Sequence, residues 1–131
     1  MIGFDTNVLV RFFTQDDPAQ CKLTDEIIRS LSAANPAWVS LTVLLELVWA
    51  LTWIYRVDQS GIVRVLDDFM DRQEFKIEQL DTVQEALRVF RKGKAEFADC
   101  LIAASAQAAG CSKTATFDRI AARDAGMELL T

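Results

Sequence analysis

Ile2-Gly3-Phe4-Asp5-Thr6-Asn7-Val8-Leu9-Val10 opens the chain with an apolar run, three short polar residues and a second apolar run. Ile2-Gly3-Phe4 reads as a short buried strand. Asp5, Thr6 and Asn7 carry side-chain oxygens that accept from the free amides of a helix start. A strand therefore passes straight into a helix, with an aspartate at the turn.

Working outward, the same alternation recurs. Asp16-Asp17-Pro18 opens a helix with Asp17 as N-cap, and Leu23, Ile27 and Leu31 share one face of it. Asn35-Pro36 ends it, and 37–40 is a second strand. From about Thr42 to Tyr55 a helix is apolar nearly all round, which predicts burial on most sides. Asp58 or Ser60 starts the next helix, with Ile62, Leu66, Phe69 and Met70 at helical spacing. Residues 75–78 alternate as a third strand. Thr82-Val83-Gln84-Glu85 reads as a capping box for a helix to about Arg91. A small-residue helix runs from Glu96 to Ala109, with Gly110 as its stop. Residues 114–117 form a fourth strand, Asp118 caps a last helix, and 127–130 form a fifth strand. Strands that alternate with helices predict an α/β protein, a three-layer α/β/α sandwich around a central, mostly parallel five-stranded sheet. At 131 residues without linker or repeat, one domain over 1–131 is expected.

Composition narrows the chemistry. Fourteen Lys and Arg against nineteen Asp and Glu give a net charge of −5, and there is no histidine. Histidine-based triads and histidine-ligated zinc or haem are excluded. Cys21, Cys100 and Cys111 are odd in number and fit no metal or disulfide spacing, so three reduced thiols are expected. The longest apolar run, 39–51, is shorter than the ~20 residues that span a bilayer. With no leader pattern at the N-terminus, a soluble cytoplasmic protein is expected.

Carboxylates must then carry any reaction. In parallel α/β sheets, ligands bind beyond the carboxyl ends of the strands, where Asp5 and Asp118 both fall. Glu46 is the one charge between Val39 and Ile54, and Asp99 lies at the start of a helix three residues after Glu96. Each alone reads as a cap or a solvated charge. Four acids in one cleft would repel one another, and a divalent cation relieves that repulsion. All-oxygen ligation suits Mg²⁺ or Mn²⁺, ions that work on phosphate esters.

The same residues resemble those of PIN domains. The 2–10 segment is similar to the opening of that family. Leu44-Leu45-Glu46-Leu47 matches its helix glutamate, Phe97-Ala98-Asp99-Cys100-Leu101-Ile102 its third acidic motif, and Thr116-Phe117-Asp118 its strand-end Thr-x-Asp. Within the family the chain resembles VapC-type toxins of bacterial type II toxin–antitoxin pairs. The resemblance implies a Mg²⁺- or Mn²⁺-dependent endoribonuclease, a homodimer, restrained by a small antitoxin. It implies that Asp5, Glu46, Asp99 and Asp118 hold the metal and do the catalysis, with Thr6, Asn7 and Thr116 in support. Glu96, where many relatives carry Asp, is a secondary ligand position.

An acidic protein that cuts RNA needs local cations, and Arg11, Lys92, Lys94, Lys113 and Arg119 flank the motifs. Trp49, Trp53 and Tyr55 share the Glu46 helix and read as core or as an interface with a partner. A haloacid-dehalogenase-like phosphatase is excluded by Asn7 in place of its second aspartate. A receiver domain lacks its acidic pair and its late lysine. The alternative that stays open is a catalytically silent PIN-like module that binds RNA or protein.

Overall fold

The computed structural model describes residues 1–131. The chain divides into two compact units, Met1–Glu78 and Gln79–Thr131.

The first unit runs β1 (Ile2–Gly3), α1 (Thr6–Thr14), α2 (Pro18–Arg29), β2 (Ala37–Val39), α3 (Leu41–Trp53), α4 (Gln59–Asp71) and β3 (Phe75–Ile77). Its strands form a parallel sheet in the order β1-β2-β3, with Ile2 opposite Ala37 and Ala37 opposite Phe75. Each helix starts where the sequence supplies an oxygen acceptor. Asp17 accepts from Gln20 N–H at 3.1 Å, Ser40 from Val43 N–H at 3.2 Å, and Asp58 from Gly61 N–H at 2.9 Å. Leu9, Leu44, Leu47, Leu66 and Phe69 are wholly buried between these elements. Each such side chain contributes about 1.5–3 kcal/mol by leaving water. Phe69 meets the Phe75 ring edge-on at 4.7 Å, which seats α4 on β3.

The second unit runs α5 (Leu80–Phe90), α6 (Phe97–Ala108), β4 (Ala115–Thr116), α7 (Arg119–Asp124) and β5 (Glu128–Leu129). α5 packs along α6, with Phe90 against Phe97 at 5.7 Å. β4 and β5 pair in parallel. The Asp124 carboxylate accepts from Lys94 N–H at 2.8 Å and from Arg123 Nε at 2.8 Å. These bonds to Arg123 and to the Lys94 amide hold its pKa down to about 2. Gly110 ends the helix region at φ +96°, where a Cβ would be strained. No helix is long and apolar enough to cross a membrane.

The α/β character, all five strands and their parallel pairing match the sequence reading. Four details do not. The strands pair as three and two rather than as one continuous five-stranded sheet. Strands of two or three residues offer few rungs, and a strand's sequence does not name its neighbour. Ile2 and Gly3 are exposed, and only Phe4 is buried. α2 buries Cys21, Thr24 and Ile28 instead of the face of Leu23, which is 66% exposed, and Leu31 lies beyond its end. Compact Cys and Thr let this helix sit close to α1, where Cys21 Sγ reaches Arg11 O at 3.3 Å. The capping box fails. α5 begins at Leu80 after Gln79 in the left-handed conformation, and Thr82 is buried inside the helix.

Candidate active site

Asp5 is the N-cap of α1, and its Oδ1 accepts from Thr6 N–H at 2.8 Å. That bond fixes the carboxylate and leaves Oδ2 open. The backbone of Thr6, not its hydroxyl, orients Asp5. Thr6 Oγ1 is buried without a hydrogen-bond partner, in a residue only 8% exposed. Asn7 is exposed one residue along the helix.

Glu46 lies on α3, and the structure changes its physical meaning. The sequence makes it a lone charge on an apolar helix. In the fold it is exposed, on a stripe with Thr42, Trp49 and Trp53. Trp49 is 58% exposed and Trp53 50%, so α3 is covered on most sides, as its apolar sequence predicts, and open along this one stripe. Residues at i, i+3 and i+7 share a helix face, and this face is aromatic and solvated.

In the second unit, Asp99 stands in the first turn of α6 and Asp118 is the N-cap of α7. Asp118 Oδ1 accepts from Ile120 N–H at 2.8 Å and Ala121 N–H at 3.0 Å, while Asp118 N–H donates to Thr116 Oγ1 at 3.0 Å. One oxygen is thus tied down and the other is open, as at Asp5. Burial, and then the charge of Asp118, push the Asp99 carboxyl above its ordinary pKa. Next to them, burial and then the charges of Asp99 and Asp124 push the Cys100 thiol up to about 11, so it is inert. Glu96 is the N-cap of α6, exposed, and makes no capping bond.

Asp118 is the acid whose charge reaches Asp99. No three His, Cys, Asp or Glu side chains stand as a ready-made cage. The residues nevertheless suit a hard ion. Every candidate donor is an oxygen, and Asp5 in the first unit and Asp118 in the second each keep one carboxylate oxygen outside their cap bonds.

Among the flanking cations, Arg11 is committed elsewhere. It binds Gln20 at 2.6 Å, Asp16 at 3.3 Å and the Tyr55 hydroxyl at 3.2 Å. Lys113 pairs with Glu128 at 3.0 Å. These contacts remove Arg11 from the set of free cations, because its guanidinium holds α1, α2 and the end of α3 together. Lys92, Lys94 and Arg119 remain exposed. Two features escaped the sequence reading. Phe117, inside the Thr116-Phe117-Asp118 motif, is 82% exposed. The second unit also holds a cavity of about 340 Å³ lined by Cys100, Gln107, Cys111 and Lys113 among others. An apolar residue at a strand end reads as core, and a cavity leaves no sequence signal.

The profile of the PIN domain family matches residues 2–126. The chain belongs to the PIN domain family. The match takes in both units and all four acids. Among curated proteins, the VapC ribonuclease of Aquifex aeolicus (strain VF5) is 25% identical over 116 residues, 88% of this chain and 85% of that protein. No solved structure matches the chain significantly. Within a PIN domain, the helix-rich architecture with short parallel strands is the family's own, and the sequence reading of fold and family stands.

Proposed function

We propose that this PIN domain is a Mg²⁺- or Mn²⁺-dependent endoribonuclease that acts as the toxin of a type II toxin–antitoxin pair. The observation that carries the reading is the similarity to a VapC ribonuclease along most of the chain, within a PIN domain match that takes in Asp5, Glu46, Asp99 and Asp118. Asp5, Glu46, Asp99 and Asp118 hold the ion, and the two units act as one domain over 1–131, as the continuous family match supports. When bound, the ion supplies positive charge that lowers the pKa of water and offsets charge gathering on the phosphate.

The chain's own residues do the rest. Thr6 N–H and the amides of Ile120 and Ala121 each pin one carboxylate oxygen, so Asp5 and Asp118 enter the reaction already oriented. Thr116 Oγ1 holds the Asp118 backbone in place. Asn7 and Glu96 stand exposed beside Asp5 and before Asp99, where they support the acids. Lys92, Lys94, Arg119 and, after its ion pair opens, Lys113 contact phosphates. The partners are RNA, a small antitoxin and a second copy of the chain. The exposed Trp49 and Trp53 are of the type that protein interfaces favour. The setting is the cytoplasm.

The test is cleavage of single-stranded RNA with Mg²⁺ or with chelator. Mg²⁺-dependent cuts with 5′-phosphate and 3′-hydroxyl ends, lost in Asp5→Asn without loss of fold, are expected. Cyclic phosphate ends would instead mean attack by the RNA 2′-hydroxyl and overturn the hydrolytic route, and binding without any cleavage favours the silent module.

A further inference from the structure

We propose that Phe117 is a platform on which a nucleobase of the RNA stacks, with Arg119 taking the adjoining phosphate beside Asp118. The inference rests on the endoribonuclease reading above. Of the eight phenylalanines, Phe4, Phe69, Phe75, Phe90 and Phe97 are buried, whereas Phe117 is 82% exposed. Its backbone is held on both sides. Thr116 belongs to β4, and its carbonyl accepts from Leu130 N–H at 2.8 Å. Asp118 is tied by its own N–H to Thr116 Oγ1 and by its carboxylate to two amides of α7. An exposed ring on a fixed backbone binds with little ordering cost.

The flanking residues favour RNA over a protein partner. Phe117 is followed by Asp118 and Arg119, both charged and exposed. The cores of protein interfaces are depleted of charge. Single-stranded RNA, by contrast, is gripped by lone aromatic rings next to cations. The stack is also uncharged, so it adds affinity where the acid pair repels phosphate.

Phe117→Ala, Phe117→Trp and Arg119→Ala are compared with the wild-type protein. The readouts are fluorescently labelled single-stranded RNA binding in chelator, cleavage kinetics in Mg²⁺, and thermal melting. Phe117→Ala is expected to melt like wild type, to weaken RNA binding about 5- to 150-fold, and to raise KM more than it lowers kcat. Phe117→Trp restores binding. An RNA carrying one abasic nucleotide, moved along the strand, should bind both proteins equally at one position. Arg119→Ala should lower the salt slope of binding by about one ion. The inference is overturned if Phe117→Ala binds RNA like wild type, or if it loses self-association or antitoxin binding while RNA binding is intact. If wild type neither binds nor cuts RNA, the endoribonuclease reading falls as well. If wild type cuts and Phe117→Ala cuts equally, only the stacking role falls.

Discussion

Asp99→Asn keeps the shape of the side chain and removes one charge from a pair that repels itself. Asp99 is partly buried and lies within reach of the Asp118 charge, and both conditions disfavour its ionised form. Relief of like-charge repulsion and of desolvation at a partly exposed site is about 0.5–1 kcal/mol together. For a chain of 131 residues this raises Tm by about 2–5 °C. The pH dependence has a fixed sign. The folded state holds the Asp99 proton more tightly than the unfolded state does. Wild type therefore loses stability relative to Asp99→Asn as pH rises above about 4. Well below that pH, position 99 is neutral in both proteins and the difference closes. Calorimetry at pH 3 and pH 7 measures both limits. Cleavage by Asp99→Asn should fall about 100-fold or more, and Mg²⁺ should stabilise wild type more than the variant. An Asn variant less stable than wild type at pH 7, or a gap that widens on acidification, refutes the reasoning.

Three further outcomes follow from the same contacts. Thr6→Val replaces a buried hydroxyl that has no partner, so urea denaturation should show equal or greater stability, by up to about 1 kcal/mol. Asp118→Ala removes the α7 cap and should cost about 0.5–2 kcal/mol in a urea melt, whereas Asp118→Asn keeps most of that stability and loses cleavage all the same. Asp124 holds its proton only below a pKa of about 2, so the stability it lends is present at neutral pH and fades as pH falls from about 4 toward 2. Acid titrations of wild type and Asp124→Asn should therefore converge at the acid end.

Local signals in the sequence carried most of the architecture. Asp17-Pro18, Asp58 and Gly110 marked where elements begin and end, because caps and left-handed glycines act within a few residues, whereas Ser40, read as the end of a strand, is the cap of α3. The start of α5 was lost because Gln79, a residue with no turn signature, takes the left-handed conformation. The pairing of strands was lost because it is a long-range choice. Among the site residues, Asp5 and Asp118 were legible as strand-end caps, and caps they are. Glu46 was singled out by its apolar neighbours, yet it is exposed, because α3 turns Trp49 and Trp53 outward as well. Arg11 was legible as a cation near the first motif, but its partners Gln20, Asp16 and Tyr55 come from three separate stretches that no local pattern connects.

Mn²⁺ binding, followed by the loss of the free-ion signal in electron paramagnetic resonance, tests the proposed metal site most directly. Wild type is titrated beside Asp5→Asn, Glu46→Gln, Asp99→Asn and Asp118→Asn, with melting curves to confirm that each is folded. Every one of the four substitutions is expected to weaken Mn²⁺ binding. Unchanged Mn²⁺ affinity in Asp5→Asn and Glu46→Gln, or no binding by wild type at all, would contradict that expectation.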